Sequence, residues 1–229
     1  MLKQKTIIFG IGVTADIVYD SITNDAETDI EVSAFCVDEE YYCMANKFGL
    51  PVVKFQEVEH SYSPEEYRMI VATGYQKLNA QRIKKCREVE EKGYFLSSFV
   101  HSRADISRTI RNSVGKNTII VNNVSIGPGA VIGDNVGIFS GAVISHHTVI
   151  ENNVWIAPGA VICGKSVVGE NTFLGANCML GDNITVGKNN FIGAGAVVTK
   201  NTENDAVYII PNTPKYILES HQFVRMFGI

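Results

Sequence analysis

The sequence predicts a mixed fold: a small α/β domain at the N-terminus, followed by a parallel β-helix. Two observations carry that expectation. From Val114 to Glu203 an aliphatic residue stands at every sixth position, in fifteen hexads without a slip: Val114, Ile120, Ile126, and so on through Ile192 to Val198. A helix repeats near 3.6 and a plain strand near 2, and neither gives six. A fixed hexapeptide period is what stacked β-helical coils produce when they share one core. Ahead of that stretch, strand-like runs alternate with helical patterns, which is the order of a parallel α/β domain.

Taken in order, Thr6 to Phe9 reads as a short buried strand, and Gly10-Ile11-Gly12-Val13-Thr14-Ala15 follows as a turn into an amphipathic segment carrying Ile17, Val18 and Ile22. Glu31 to Val37 reads as a second strand ending at Asp38-Glu39-Glu40, and Gly49-Leu50-Pro51 as a turn. Arg68 to Thr73 reads as a third strand ending at Gly74. Gln76 to Glu91 reads as a helix stopped by Gly93, and Tyr94 to Ser97 as a fourth strand. These elements place the α/β domain at 1–97. Val100 and Ile106 are six apart, but Val114 falls two residues late, as expected of a first coil with a small insertion. The β-helix is expected over 98–210. Lys215 to Phe227 is expected as a short helix within a C-terminal cap over 211–229, because the end of a β-helix exposes strand edges and core.

Within each hexad the fifth position is mostly small or β-branched (Val124, Ala130, Ala142, Ala160) and should point inward with the first, since side chains alternate along a strand. The fourth position is Asn or Gly in thirteen of the fifteen hexads, which marks a slot of positive φ. The two exceptions are His147 and Lys165, eighteen residues apart. If three hexads make one triangular coil, they share a corner on adjacent coils about 4.8 Å apart.

Composition narrows the function. The chain of 229 residues carries a net charge of −4 and no basic run, so a nucleic-acid partner is not expected. No stretch approaches 18 consecutive apolar residues, and the opening Met-Leu-Lys-Gln-Lys-Thr runs straight into a strand, so neither a membrane span nor a signal peptide is expected. Five cysteines without metal-like spacing read as reduced structural thiols in a cytoplasm.

Three features point to chemistry. Gly10-x-Gly12-x-x-Ala15 between strand and helix, with Asp38 at the end of the next strand, is similar to a dinucleotide fingerprint. The domain is too short for the full two-halved Rossmann-like fold, so a mononucleotide such as the nucleotide end of a sugar nucleotide fits better. A plain tight turn and a solvated acid are the other readings of the same residues. His146-His147 falls in a turn where the fold asks for Asn or Gly, and imidazole is the natural general base near neutral pH. Trp155, Phe173 and Phe191 hold the outward sixth position eighteen residues apart, an aromatic column that needs cover. A subunit interface or a coenzyme groove would supply it. Lys165 keeps a strained slot and therefore has three readings: a phosphate contact, a positive field on the imidazoles, or a solvated side chain.

The run Ile144-Ser145-His146-His147-Thr148-Val149-Ile150, the hexad Trp155-Ile156-Ala157-Pro158-Gly159-Ala160 and the stretch from Ile192 to Lys200 resemble hexapeptide acyltransferases with a left-handed β-helix. More closely, they resemble the nucleotide-sugar N-acetyltransferases of bacterial surface glycan (O-antigen, lipopolysaccharide) biosynthesis and the sialic acid O-acetyltransferase branch. The resemblance covers nearly the whole chain and implies a cytoplasmic homotrimer. It implies acetyl-CoA as co-substrate between neighbouring β-helices, no metal, and a nucleotide-linked amino sugar in the α/β domain. It places the general base at His146, with His147 beside it and no covalent enzyme intermediate. It places substrate contacts at Gly10, Gly12, Val13, Thr14, Asp38, Glu39 and Gly74, and coenzyme contacts around Trp155, Gly164 and Ala176, to which Lys165 adds a candidate phosphate contact. Two residues depart from the pattern. Some relatives follow the catalytic His with a carboxylate, and here the follower is His147; some carry a His where Trp155 stands. The expected function is acetyl-CoA-dependent N-acetylation of a nucleotide-linked amino sugar. The alternatives are O-acetylation of a sugar or small hydroxyl substrate, and a non-catalytic nucleotide-binding scaffold.

Overall fold

The computed structural model describes residues 3–228. Met1 and Leu2, in the expected range 1–97, and Ile229, in the expected range 211–229, lie outside the described residues. The N-terminal sheet has the order β3-β4-β2-β1-β5. Its strands are β1 (Gln4–Phe9), β2 (Ile30–Val37), β3 (Asn46–Lys47), β4 (Leu50–Lys54) and β5 (Arg68–Val71). β1 runs parallel to β2 and β5, so the carboxyl ends of all three open on one edge. Helix α1 (Val13–Thr23) buries Val18 and Ile22 as expected, together with Ala15, whereas Ile17 is exposed.

Three details differ from the sequence reading. Gly49 is a turn residue at φ 82°, yet Leu50 and Pro51 already belong to β4. Pro51 is tolerated because it lies at the start of the strand, opposite the two-residue β3. Tyr94 to Ser97 makes only a single bridge, Leu96 to Met69. Helix α2 begins at Ala80 rather than Gln76, because Lys77, Leu78 and Asn79 all take positive φ. That left-handed run turns Tyr75 and Asn79 toward the second half of the molecule.

The second half is a parallel β-helix of three sheets. Registers such as Ile138↔Ile156, Ile144↔Ile162 and Ile150↔Val168 place every coil eighteen residues after the last. The first hexad position fills the axis, with Ile138, Ile156 and Leu174 fully buried. The fourth position takes φ between 52° and 79° from Asn117 to Gly195, His147 and Lys165 included. One corner is an amide ladder in which Asn117, Asn135, Asn153, Asn171 and Asn189 each donate to the next residue's Oδ1, ending on Asp205. The insertion after Ile106 is a short helix, α3 (Arg108–Arg111), and Arg111 ties it to the Val100 and Ala104 carbonyls. Beyond Val198 the pattern shortens: Val207–Tyr208 pairs with Phe191–Ile192 sixteen residues on, with Asp205 at the left-handed corner. Helix α4 (Ser220–Phe227) is shorter than the expected Lys215–Phe227 and buries no residue, so within one chain it leaves the coil end uncovered.

The aromatic column is covered, but by this chain itself. Trp155 and Phe173 are 7 % and 8 % exposed. Tyr75 packs on both, at 5.3 and 4.5 Å between ring centroids. Arg82 of α2 lies 5.0 Å above the Trp155 ring, in room left by Gly137 one coil earlier, where a Cβ would sit 3.3 Å from Arg82 Nη1. The expectation that the column forms a subunit interface is therefore corrected for Trp155 and Phe173, which lie in the seam between the two domains, while Phe191 stacks on Phe173 and is half-buried. Buried polar bonds fix the seam, with Val71 N–H donating to Asn117 Oδ1 at 2.8 Å, Arg82 to the Asn135 carbonyl at 2.8 Å and Asn79 to the Asn153 carbonyl at 2.7 Å. Burial without a carboxylate partner pulls the Arg82 guanidinium down to about 10.

Candidate active site

The corner opposite that seam lies between the strands Val143–Ile144 and Val149–Ile150. Its fourth-position column reads Gly129, His147, Lys165, Asn183, and its third-position column Pro128, His146, Gly164, Asp182. His147 and Lys165 hold φ 56° and 57°, a conformation that costs an L residue with a Cβ roughly 1–2 kcal/mol. The two imidazoles diverge along the axis, each into a glycine slot. A Cβ on Gly129 would lie 2.8 Å from His147 Cδ2, and one on Gly164 would lie 2.8 Å from His146 Nε2. Both rings are exposed.

Their Nδ1 atoms meet at 3.2 Å, so one donates and the other accepts. When His146 Nδ1–H donates to His147 Nδ1, the lone pair of His146 stands free on Nε2, over Gly164. In that arrangement His147 Nδ1 also fixes the orientation of the His146 ring. Lys165 N–H donates to the His146 carbonyl at 2.9 Å, while its exposed side chain has no polar partner among the described residues.

A cavity of about 720 Å³ opens at the carboxyl ends of β1, β2 and β5. Gly10, Gly12, Val13, Thr14, Asp38 and Gly74 line it together. Gly10 takes φ 121°, and a Cβ there would meet the Ala72 carbonyl at 2.9 Å, so this glycine is needed for packing alone. Gly12 is the N-cap of α1, with open space around it and no side chain capping the helix. The first amides of α1 therefore stand free toward the cavity, the arrangement that receives a phosphate. Asp38 accepts from Lys85 Nζ at 2.7 Å, and Lys85 also bonds Glu88. Burial alone would lower the Lys85 ammonium, but these two carboxylates hold it above its ordinary range. Glu39 does not line the cavity; it turns outward to pair with Lys54 at 2.5 Å, and Glu40 and Tyr41 take its place.

The expected coenzyme residues do not all gather. Gly164 and Lys165 lie at the His146 corner. Ala176 lies at the next corner round, across the face of Val143, Val161, Met179 and Val197. Trp155 is corrected as a coenzyme contact, since it is buried in the seam on the far side of the coil. The sequence reading also missed Lys84, Lys85 and Gln81 at the cavity. Gln81 and Lys84 come from the exposed side of α2 and Lys85 from its buried side, and none of them carries a signal until the helix is placed over the sheet.

The family described as bacterial transferase hexapeptide (six repeats) matches residues 147–181 and 165–200. That match falls inside the stretch of hexads from Val114 to Glu203. No curated relative matches the sequence. Among solved structures, the perosamine N-acetyltransferase of Caulobacter crescentus, in complex with CoA and GDP-perosamine, superposes on this hexapeptide-repeat chain with a TM-score of 0.77 at 26 % identity, over 89 % of this chain and 92 % of that one. The acetyltransferase domain of PglB from Neisseria gonorrhoeae, solved with acetyl coenzyme A, gives 0.77 at 23 % identity over 90 % and 95 % and shares the fold. WeeI from Acinetobacter baumannii shares it at 16 % identity and a TM-score of 0.59, over 90 % and 96 %. Among the described residues no helix is long and apolar enough to cross a membrane, and no group of three or more His, Cys, Asp or Glu could hold a metal ion.

Proposed function

We propose that this hexapeptide-repeat protein is an acyltransferase that moves the acetyl group of acetyl-CoA to the amino group of a nucleotide-linked amino sugar. The observation that carries the reading is the His146–His147 pair, held at a strained corner with His146 Nε2 free. The cavity at the α1 N-terminus supplies the sugar-nucleotide site, with free amides for a phosphate and the Asp38–Lys85 pair for a base or ribose. In the reaction the C–N bond forms as the C–S bond breaks. His146 Nε2 takes the proton leaving the amine and passes it to the departing sulfur, with His147 Nδ1 holding the ring through its other nitrogen. The similarity to enzymes solved with CoA and GDP-perosamine supports the same substrate classes. A cytoplasmic place in surface glycan biosynthesis belongs to the same proposal.

A homotrimer remains part of this reading, on a different face from the one first expected. The α/β domain covers the Trp155 face and His146 sits at the opposite corner, so a second copy must bring a sugar-nucleotide cavity to each histidine. The outward residues flanking that corner are apolar and open, with Val131 57 % and Val197 62 % exposed. The decisive experiment follows thiol release from acetyl-CoA with a panel of UDP-, dTDP- and GDP-linked amino sugars and their hydroxyl counterparts. Release with one amino sugar is expected; release only with hydroxyl substrates, or with none, overturns the reading. Sedimentation should give a trimer, and a stable monomer at micromolar concentration overturns the shared site.

A further inference from the structure

Asp182 stands two coils beyond His146 in the same third-position column, with Gly164 between them. Because Gly164 has no side chain, both neighbours lean into the space above it. The point a Gly164 Cβ would occupy lies 2.8 Å from His146 Nε2, 2.7 Å from His146 Cε1 and 3.1 Å from Asp182 Oδ1. Among the described residues the Asp182 carboxylate has no hydrogen-bond or ion-pair partner, although Lys165 stands at the same corner one coil earlier. When His146 Nδ1–H donates to His147, an anion and an imidazole lone pair thus flank the Gly164 backbone together, near enough for one small group lying over it to meet both acceptors.

Two convergent acceptors suit a donor with more than one hydrogen. A primary amine offers one N–H to His146 Nε2 and another to a carboxylate. A hydroxyl has a single O–H and can satisfy only one of the two. We infer that Asp182 is the second acceptor for the substrate amine and the residue that makes this site choose nitrogen over oxygen. The role rests on the proposed transfer to an amino sugar. Asp182 breaks and forms no covalent bond. It holds the amine with its lone pair toward the thioester while His146 takes the proton, and its charge steadies the cationic character that nitrogen gains as it attacks. An unsatisfied carboxylate facing a bound hydroxyl substrate would also disfavour O-acetylation.

The test is Asp182→Asn, with Asp182→Glu and His146→Asn beside it, each assayed on an amino-sugar nucleotide and on its hydroxyl counterpart. Asp182→Asn is expected to lower kcat/KM for the amine about ten-fold or more, the usual loss of a charge-assisted hydrogen bond. KM for acetyl-CoA and melting temperature should hold and any hydroxyl transfer should rise, so the amine-to-hydroxyl ratio falls. Asp182→Glu should restore part of that ratio. An equal loss on both substrates, or a rise confined to KM for acetyl-CoA, would show that Asp182 serves the coenzyme and overturn the inference. Unchanged kinetics in Asp182→Asn would overturn it as well, with the proposed function intact. A wild-type protein that transfers nothing to an amine overturns the function itself.

Discussion

The Trp155 face and the His146 corner both break the hexad pattern, and they do so for opposite reasons. On the face, aromatics stand at outward positions where solvent would favour polar residues, and the chain itself covers Trp155 and Phe173 with Tyr75 and Arg82. At the corner, His147 and Lys165 replace Asn or Gly at positive φ, and the chain covers neither. A departure that lowers the free energy of the folded chain is accounted for by packing. A departure that strains the backbone, with only the His147–His146 contact to set against it, is not accounted for by packing.

The largest effect should come from the corner. His146→Asn is expected to lower the chemical step by roughly 10²–10⁴-fold with the fold retained, the range for a lost general base. Near-wild-type turnover at pH 7 would move the base elsewhere and leave the corner no more functional than the face. The mirror experiment is Trp155→Ala, which should destabilise the protein by about 3–5 kcal/mol in urea unfolding, as a large buried aromatic does on truncation. If stability held while KM for acetyl-CoA rose, the face would be a coenzyme groove and the comparison would collapse.

A smaller effect tests whether the seam is polar as well as aromatic. Asp25 accepts from the Ser102 hydroxyl at 2.6 Å and the Ser102 amide at 2.8 Å, tying the α/β domain to the first coil. Burial alone would raise its carboxyl, but the Ser102 hydroxyl and amide outweigh burial and hold it below the ordinary 3.8. Its stabilisation is therefore complete above the unfolded value and is lost as pH falls through the lowered folded one. Asp25→Asn should cost about 1.5–3 kcal/mol near neutrality and flatten the acid limb of stability against pH below about 4. An acid limb identical to wild type would remove Asp25 from the seam. Lys165→Asn should do least: melting temperature holds or rises, because the slot regains a residue suited to positive φ, while KM for one substrate rises a few-fold. Unchanged kinetics would make Lys165 a solvated side chain.

The β-helix was legible because its information is local and repeated. One aliphatic residue in six, an Asn or Gly at the left-handed slot and an eighteen-residue coil together leave a single way to stack, and His147 and Lys165 show against that regular background. The α/β strands Gln4–Phe9 and Ile30–Val37 were legible from their short apolar ends, Ile7 to Phe9 and Ala34 to Val37. What only the tertiary structure decided depends on contacts between residues far apart in the chain. Tyr75 reads as a loop aromatic until the left-handed turn at Lys77–Asn79 swings it onto Trp155. Glu39 and Glu40 are equivalent in sequence, and a lysine from a neighbouring strand turns one of them away from the cavity. Asp182 is an ordinary corner residue until stacking sets it across a glycine from His146. Periodicity specifies which residues share a column, but which columns are covered, and by what, depends on how two separately patterned domains pack together.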